Sequence, residues 1–149
     1  MGTTTTTPDQ QARTDALLDR GEIEVLVHRL GAALDDGDFE ALRTILTPDA
    51  TVTTPGGHAE GIDALIAQAS RNHVPAATIQ HLITGVLVDL DGDRAAVRTN
   101  LVVTFADQPG DPTPTRRLGE RYAFGARRTD DGWRLTSVAT TIAWREVPV

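Results

Sequence analysis

The chain of 149 residues contains no cysteine. Disulfides, thiolate nucleophiles and cysteine metal sites are thereby excluded together. Lysine is absent as well, every basic residue being arginine, so Schiff-base chemistry on a lysine amine and a lysine-dependent phosphate loop are excluded too. Basic charge is the minority sign: 14 Arg face 21 Asp and Glu, for a formal net charge of -7. An acidic chain lacks the basic face of a phosphate-backbone binder, and no nucleic-acid partner is expected. No apolar run reaches the length of a spanning helix, so no membrane association is expected either. Met1 to Thr14 has neither the charged start nor the apolar centre of a signal peptide. The expectation is a disordered segment over residues 1–20, a single domain over 21–147, and a cytoplasmic location.

What is present is ordinary globular material, 40% hydrophobic and 23% charged, enough for one core. Ile23, Leu26, Val27, Leu30 and Leu34 recur at helical spacing from Glu22 and stop near Asp36-Gly37. Asp38 is placed to cap a second, shorter helix carrying Phe39, Leu42, Ile45 and Leu46, ended by Pro48. Thr51 to Thr54 reads as a short strand closed by Pro55-Gly56-Gly57, and residues 61–70 as a third helix burying Ile62, Leu65 and Ile66. After Pro75 the chain is β: 80–90, 94–106, 116–128 and 133–146, with Asp91-Gly92-Asp93 and Thr129-Asp130-Asp131-Gly132 as tight turns. The fold class is therefore α+β, with three N-terminal helices on one face of a curved antiparallel sheet that encloses an apolar pocket.

Alternation sorts the strand faces. On 94–106 the odd positions Ala95, Val97, Thr99, Leu101, Val103 and Phe105 form the buried face. On 116–128 the even positions do, and Glu120 travels with Leu118, Tyr122, Phe124 and Ala126. Register decides what His81 meets. A two-residue Asp91-Gly92 loop sets His81 beside Asn100; a three-residue loop sets it opposite Leu101 with Thr99 diagonal, and is preferred if His81 points inward. The other side of the first hairpin keeps Leu82, Thr84, Val86, Val88 and Val102, an apolar strip that suggests a twofold homodimer through the sheet.

Several segments look familiar in their order. Leu34-Asp35-Asp36-Gly37-Asp38-Phe39-Glu40-Ala41-Leu42 resembles the first helical turn motif of the SnoaL-like proteins. So does Ile79-Gln80-His81-Leu82-Ile83-Thr84-Gly85 followed by the Asp-Gly hairpin. Gly119-Glu120-Arg121-Tyr122 and the stretch from Arg127 to Leu135 complete the pattern. The likeness spans about Glu22 to Glu146, and is greatest to the scytalone-dehydratase-like group within the cone fold shared by nuclear transport factor and ketosteroid isomerase. It implies a conical α+β barrel, frequently dimeric and frequently without metal or organic cofactor. Its enzymes include dehydratases, isomerases, cyclases and epoxide hydrolases. In the dehydratase group an aspartate ending the first helix acts with a histidine opening the first long strand, and Asp35 and His81 stand in those places. The tyrosine before that aspartate is here Leu34, and the second histidine on the next strand has no counterpart beside Thr99 and Asn100.

His81 and Asp35 are accordingly the candidate catalytic pair. An imidazole can take and return a proton near neutrality, and Asp35 could fix its tautomer. The bland alternatives are a core histidine on a backbone carbonyl and a solvated acidic helix end. Leu34, Val52, Ile66, Thr99, Leu101, Glu120, Tyr122, Phe124 and Trp144 are the candidate substrate-binding residues. A packed phenol with one hydrogen bond is at least as good a reading of Tyr122, and pairing with an arginine is preferred for Glu120. His28, His58 and His73 lack the spacing of a metal pair, so no metal and no cofactor are expected. The expected function is cofactor-independent acid–base catalysis on a hydrophobic oxygenated small molecule, such as a polyketide or terpenoid intermediate. A non-catalytic binding or assembly domain and an epoxide hydrolase are the alternatives.

Overall fold

The computed structural model describes residues 6–73 and 78–146. Helix α1 runs Pro8–Asp36, a short 3-10 helix spans Phe39–Thr44, and α2 spans Ile62–Asn72. Strands are β1 (Leu46–Thr54), β2 (Gly57–Glu60), β3 (Thr78–Asp91), β4 (Arg94–Ala106), β5 (Arg116–Thr129) and β6 (Gly132–Glu146). They form one curved, unclosed sheet in the order β2-β1-β6-β5-β4-β3. Every pairing is antiparallel except β1 with β6, which is parallel. The helices lie on one face, as an α+β fold requires.

Helix α1 begins well before the expected Glu22. Pro8 sits just inside the start, and Thr7 and Gln10 form a reciprocal capping box that satisfies orphan N–H groups. The disordered segment expected over residues 1–20 is thus helical from Pro8; residues 1–5 lie outside the described part. Tertiary contacts hold this extension. The Asp19 carboxylate accepts from the Trp133 indole Nε1 at 3.0 Å and from both terminal nitrogens of Arg128 at 3.0 and 2.8 Å. The Arg128 guanidinium also lies over the Trp133 ring. These donors hold the Asp19 carboxyl below the usual carboxylate range. Residue periodicity could not reveal this, because Asp19 is tied down by a polar anchor rather than by an apolar stripe.

Beyond Asp19 the buried face of α1 is Ile23, Leu26, Val27, Leu30, Gly31 and Ala33, the helical repeat expected. With Ile45, Leu46, Phe124, Trp133 and Leu135 they make the main core. The helix stops at Gly37 (φ 67), whose N–H returns to the last carbonyls, and Asp38 caps the 3-10 turn through Ala41. That turn is shorter than expected: it ends at Thr44, and β1 already begins at Leu46. Pro48 lies where the β1–β6 register shifts between Leu46 and Thr51, a place where its missing N–H breaks no ladder bond. Strand β2, unforeseen, is the short return of a hairpin from Thr54.

The first long hairpin pairs Asp91 with Arg94, a two-residue loop that puts odd residues of β3 opposite even residues of β4. A bulge between Thr84 and Leu87 then changes the parity, and Ile83 meets Leu101 while His81 meets Val103. Gly85 supplies the positive φ (65) that the bulge needs. His81 therefore sits on the inner face, opposite Val103 rather than opposite Leu101 or beside Asn100. The same bulge turns Val86 and Val88 inward onto the core, correcting their place in the outer strip, and leaves Leu82 and Leu87 exposed outside.

Replacing Asp19 by Ala leaves the buried Trp133 indole N–H without an acceptor. Stability is expected to fall by about 1–3 kcal/mol in denaturant titration, with faster amide hydrogen exchange over residues 8–20. Unchanged exchange there would show that the N-terminal half of α1 stands without the anchor.

Candidate functional site

Four elements bring the site together. Helix α1 crosses β3 so closely that a Cβ on Gly31 would lie 2.7 Å from Ile83 Cδ1 and 3.8 Å from His81 Cβ. One turn later, at i+4 on the same face, Asp35 reaches the edge of the sheet. Its carboxylate accepts from the backbone N–H of His81 at 2.9 and 3.1 Å and faces His81 Nδ1 at 2.6 Å. A carboxylate this near holds the proton on Nδ1 and leaves Nε2 as a lone pair. Because β3 is the outermost strand, the same carboxylate also satisfies a backbone donor that no neighbouring strand can reach.

The His81 side chain is 8% exposed. Burial lowers its pKa, which the hydrogen bond to Asp35 only partly offsets and the nearby His73 lowers further. The imidazole is thus neutral at pH 7 and available as a base.

His81 lines a pocket of about 460 Å³ between the helices and the concave face of β3–β6. Much of its wall is apolar: Leu30, Leu34, Leu42, Leu46, Val52, Ile79, Val103 and Phe105 among others. Glu120 and Tyr122 are on β5, two strands from His81, so roughly 10 Å of sheet separates the two polar walls. Burial pushes the Glu120 carboxyl above the usual carboxylate range, and the Tyr122 hydroxyl partly counters this. Burial also raises the Tyr122 phenol, reinforced by the Glu120 charge. The phenol stays protonated, a donor at any working pH. Among the described residues Glu120 makes no ion pair, contrary to the expected arginine partner: its neighbours Arg117 and Arg121 point out from the other face, and Arg116 is laid over the Phe105 ring.

Of the candidate residues, Leu34, Val52, His81, Glu120 and Tyr122 line the pocket, and Asp35 adjoins it through His81. Five others do not. Helix α2 turns Leu65, Gln68, Ala69 and Asn72 to the cavity, which rotates Ile66 aside to pack against the core. Thr99 is 4% exposed and donates to the Thr84 carbonyl at 2.7 Å beside the bulge, so its hydroxyl is spent on the backbone. Leu101 is 2% exposed, sealed beneath Ile79, Val103, Ile83 and Tyr122. Phe124 is core, edge-on to Tyr122 with ring centroids 5.6 Å apart. Trp144 lies on the convex face, where it covers Gly119; a register shift between Gly119 and Glu120 reverses the face of β6 at that point.

Other lining residues were not foreseen. His73 closes α2, and Arg116 stacks over the Phe105 ring at 3.9 Å at the start of β5. The i, i+4 spacing of Ala69 and His73 behind Leu65 was the signal available for His73, which reads from sequence as a loop histidine. His58 instead contacts Thr53 and Glu60 on exposed β1 and β2, and His28 faces Glu24 across one helical turn. Among the described residues no three His, Asp or Glu side chains converge as a metal site.

A family model described as a SnoaL-like domain matches residues 15–139. No curated protein matches the chain. Solved structures do. The Kfla4162 protein of Kribbella flavida is 26% identical, with 88% of this chain and 95% of that one covered and a TM-score of 0.79. An NTF2-like protein with a cystatin-like fold from Novosphingobium aromaticivorans is 29% identical, covering 92% and 90%, at a TM-score of 0.75. A candidate scytalone dehydratase from the same organism shares the fold at 18% identity, covering 91% and 92%, with a TM-score of 0.78.

Glu120 has a pKa raised above its unfolded value of 4.5. Its contribution to stability is therefore complete below pH 4.5 and is lost as pH rises through the folded value. Glu120→Gln removes that loss. The thermal midpoint of the variant is expected to exceed the parent's at pH 8 by a few degrees and to match it near pH 4. A variant less stable at pH 8 would mean that the ionised carboxylate is fully compensated in place.

Proposed function

The chain belongs to the SnoaL-like domain family, and we propose that it is a cofactor-independent acid–base enzyme acting on a hydrophobic, oxygenated small molecule. The observation that carries this reading is the 2.6 Å contact between Asp35 and His81 Nδ1 at the wall of an apolar pocket. His81 Nε2 takes a proton from a carbon or hydroxyl of the bound substrate. The imidazolium so formed lies against the Asp35 carboxylate, which stabilises it without itself taking the proton. The same Nε2–H then returns the proton, to a different carbon in an isomerisation or to a departing hydroxyl in a dehydration. The Tyr122 hydroxyl on the opposite wall turns from Glu120 and donates to a substrate oxygen on which charge develops. Apolar lining excludes water and makes each of these hydrogen bonds count for more than it would in solution.

The fold shared with a candidate scytalone dehydratase favours dehydration, isomerisation or cyclisation of a polyketide-like or terpenoid substrate. The departures from that group remain: Leu34 precedes the aspartate, and Thr99 and Asn100 stand where the group's second histidine would be.

We also propose a twofold homodimer through the convex face of the sheet, where Leu82, Leu87 and Trp144 are exposed. A second copy turned by a twofold axis buries the same three side chains on both partners. Sedimentation at micromolar concentration is expected to give a dimer, and Leu82→Asp with Leu87→Asp a monomer; a monomeric parent would overturn the assignment.

Asp35→Asn and His81→Ala are each expected to lower kcat/KM by about 10²-fold or more on a panel of hydroxylated polyketide-like and terpenoid ketones. The acidic limb of the parent profile needs neutral His81, whose pKa is lowered from 6.5, so activity should persist below pH 6.5 and fall only as the imidazole protonates. In Asp35→Asn the limb moves to lower pH still, because the interaction that raised the imidazole pKa is gone. Binding without turnover by the parent, or turnover untouched by both substitutions, would make the non-catalytic binding domain the better reading.

A further inference from the structure

We propose that Arg116 anchors a carboxylate on the pocket's ligand, so that the site takes apolar carboxylic acids in preference to their neutral counterparts. Arg116 opens β5, where it pairs with Phe105 of β4. Paired residues share a face of the sheet, and Leu118, Glu120 and Tyr122, at alternate positions after Arg116, line the pocket as Phe105 does. Arg116 therefore belongs to the concave face. It is exposed at the end of that row and itself lines the pocket, so it stands at the rim, where both solvent and ligand reach it. Among the described residues it is the only arginine in the wall, and the chain has no lysine.

The charge of Arg116 is uncommitted. Among the described residues it makes no ion pair, although acids outnumber arginines in the chain by 21 to 14. Asp111, in the loop before β5, accepts from the Gln108 N–H at 3.0 Å. Glu146 pairs with Arg117 at 3.7 Å. Glu120 is four residues along β5, roughly 13 Å away. The contact Arg116 does make sets its guanidinium carbon 3.9 Å from the Phe105 ring centroid. That contact works through charge against the ring face and satisfies none of the N–H donors. Phe105 thus holds the guanidinium against the apolar wall and leaves its planar fork for an acceptor. A carboxylate fits such a fork with two parallel hydrogen bonds, which a hydroxyl or keto oxygen cannot match. His81 lies one inward-facing step along the sheet and two strands across, past Leu118 and Val103. A ligand held by its carboxylate at the rim therefore lays its apolar body across these residues toward the imidazole, and Arg116 is a positioning residue for it.

This inference names a ligand class for the pocket proposed above and rests on that reading only for the pocket's being a binding site. Its test is equilibrium binding and needs no turnover. The probes are biphenyl-4-carboxylate, biphenyl-4-carboxamide and biphenyl, titrated into the full chain by calorimetry at pH 7. The carboxylate is expected to bind about tenfold tighter than the amide, the scale of a hydrogen bond gaining charge on both partners, and the preference should shrink as salt is raised. Arg116→Gln should erase the preference while leaving the affinities for amide and biphenyl in place, which also shows that the variant is folded. Arg116→Lys, which keeps the charge without the fork, should retain part of it. Arg117→Gln, one residue on but on the other face, should retain all of it, and so should His81→Ala. Equal binding of acid and amide by the parent, or a preference unchanged in Arg116→Gln, overturns the carboxylate anchor and leaves the Asp35–His81 reading standing. Failure of all three probes to bind overturns both.

Discussion

Where α1 passes over β3, Gly31 brings the helix backbone against Ile83 and the Cβ of His81, and the candidate site depends on that closeness. A larger residue would set the helix off by the width of a side chain. Asp35, one turn farther on, would then lose a contact of 2.6 Å that has no slack. The approach also covers the outer edge of the sheet. Asp35 accepts from the β3 backbone at the point where the ladder ends, so a single carboxylate both guards an edge strand and sets the tautomer of a histidine. Its position at the C-terminal end of a helix, unfavourable for an anion by dipole alone, is offset by two N–H donors from the strand.

Register is the second constraint. The β3–β4 hairpin begins in one parity and finishes in the other, and the Gly85 bulge is the switch. Without it His81 would share the convex face with Arg98 and Arg121, in water, with an ordinary imidazole's chemistry. With it the histidine enters the hollow, Val86 and Val88 join the core, and Leu87 is turned out. Thr99 contributes by donating to the Thr84 carbonyl that the bulge would otherwise strand. A residue expected to line the pocket thus serves the backbone that aims His81 into it.

The pocket concentrates polar groups that an ordinary core would reject. His81, Glu120 and Tyr122 all have pKa values displaced toward their neutral forms by burial. The common direction follows from one cause, the loss of water on the concave side of the sheet. Groups displaced by burial and gathered in one cleft are the pattern that candidate functional sites share.

Much of this was legible beforehand. The face of α1 from Ile23 onward, the alternating strands β4 and β5, the Asp-Gly turns and the inward placement of Glu120 and Tyr122 all follow from local periodicity, since a side chain's direction is set by its own backbone. The pairing of Asp35 with His81 was available through the family resemblance, not through spacing, as 46 residues separate them. Other features were not legible. The N-terminal half of α1 is held by Asp19 against Trp133 and Arg128, more than 100 residues away. Ile66 and Trp144 were misplaced because α2's rotation and a shift in β6 pairing are settled by neighbours rather than by the segments themselves. Leu101 and Phe124 were assigned the correct face but not the correct depth, for alternation reports which side a residue takes and not what lies above it. The sequence by itself determined the elements and their faces, which are properties of backbone geometry within a few residues. The depth of each residue, the register at the bulge and the identity of His73 as a pocket residue were decided only when helix and sheet packed together, because each depends on contacts between chain segments whose separation no local pattern encodes.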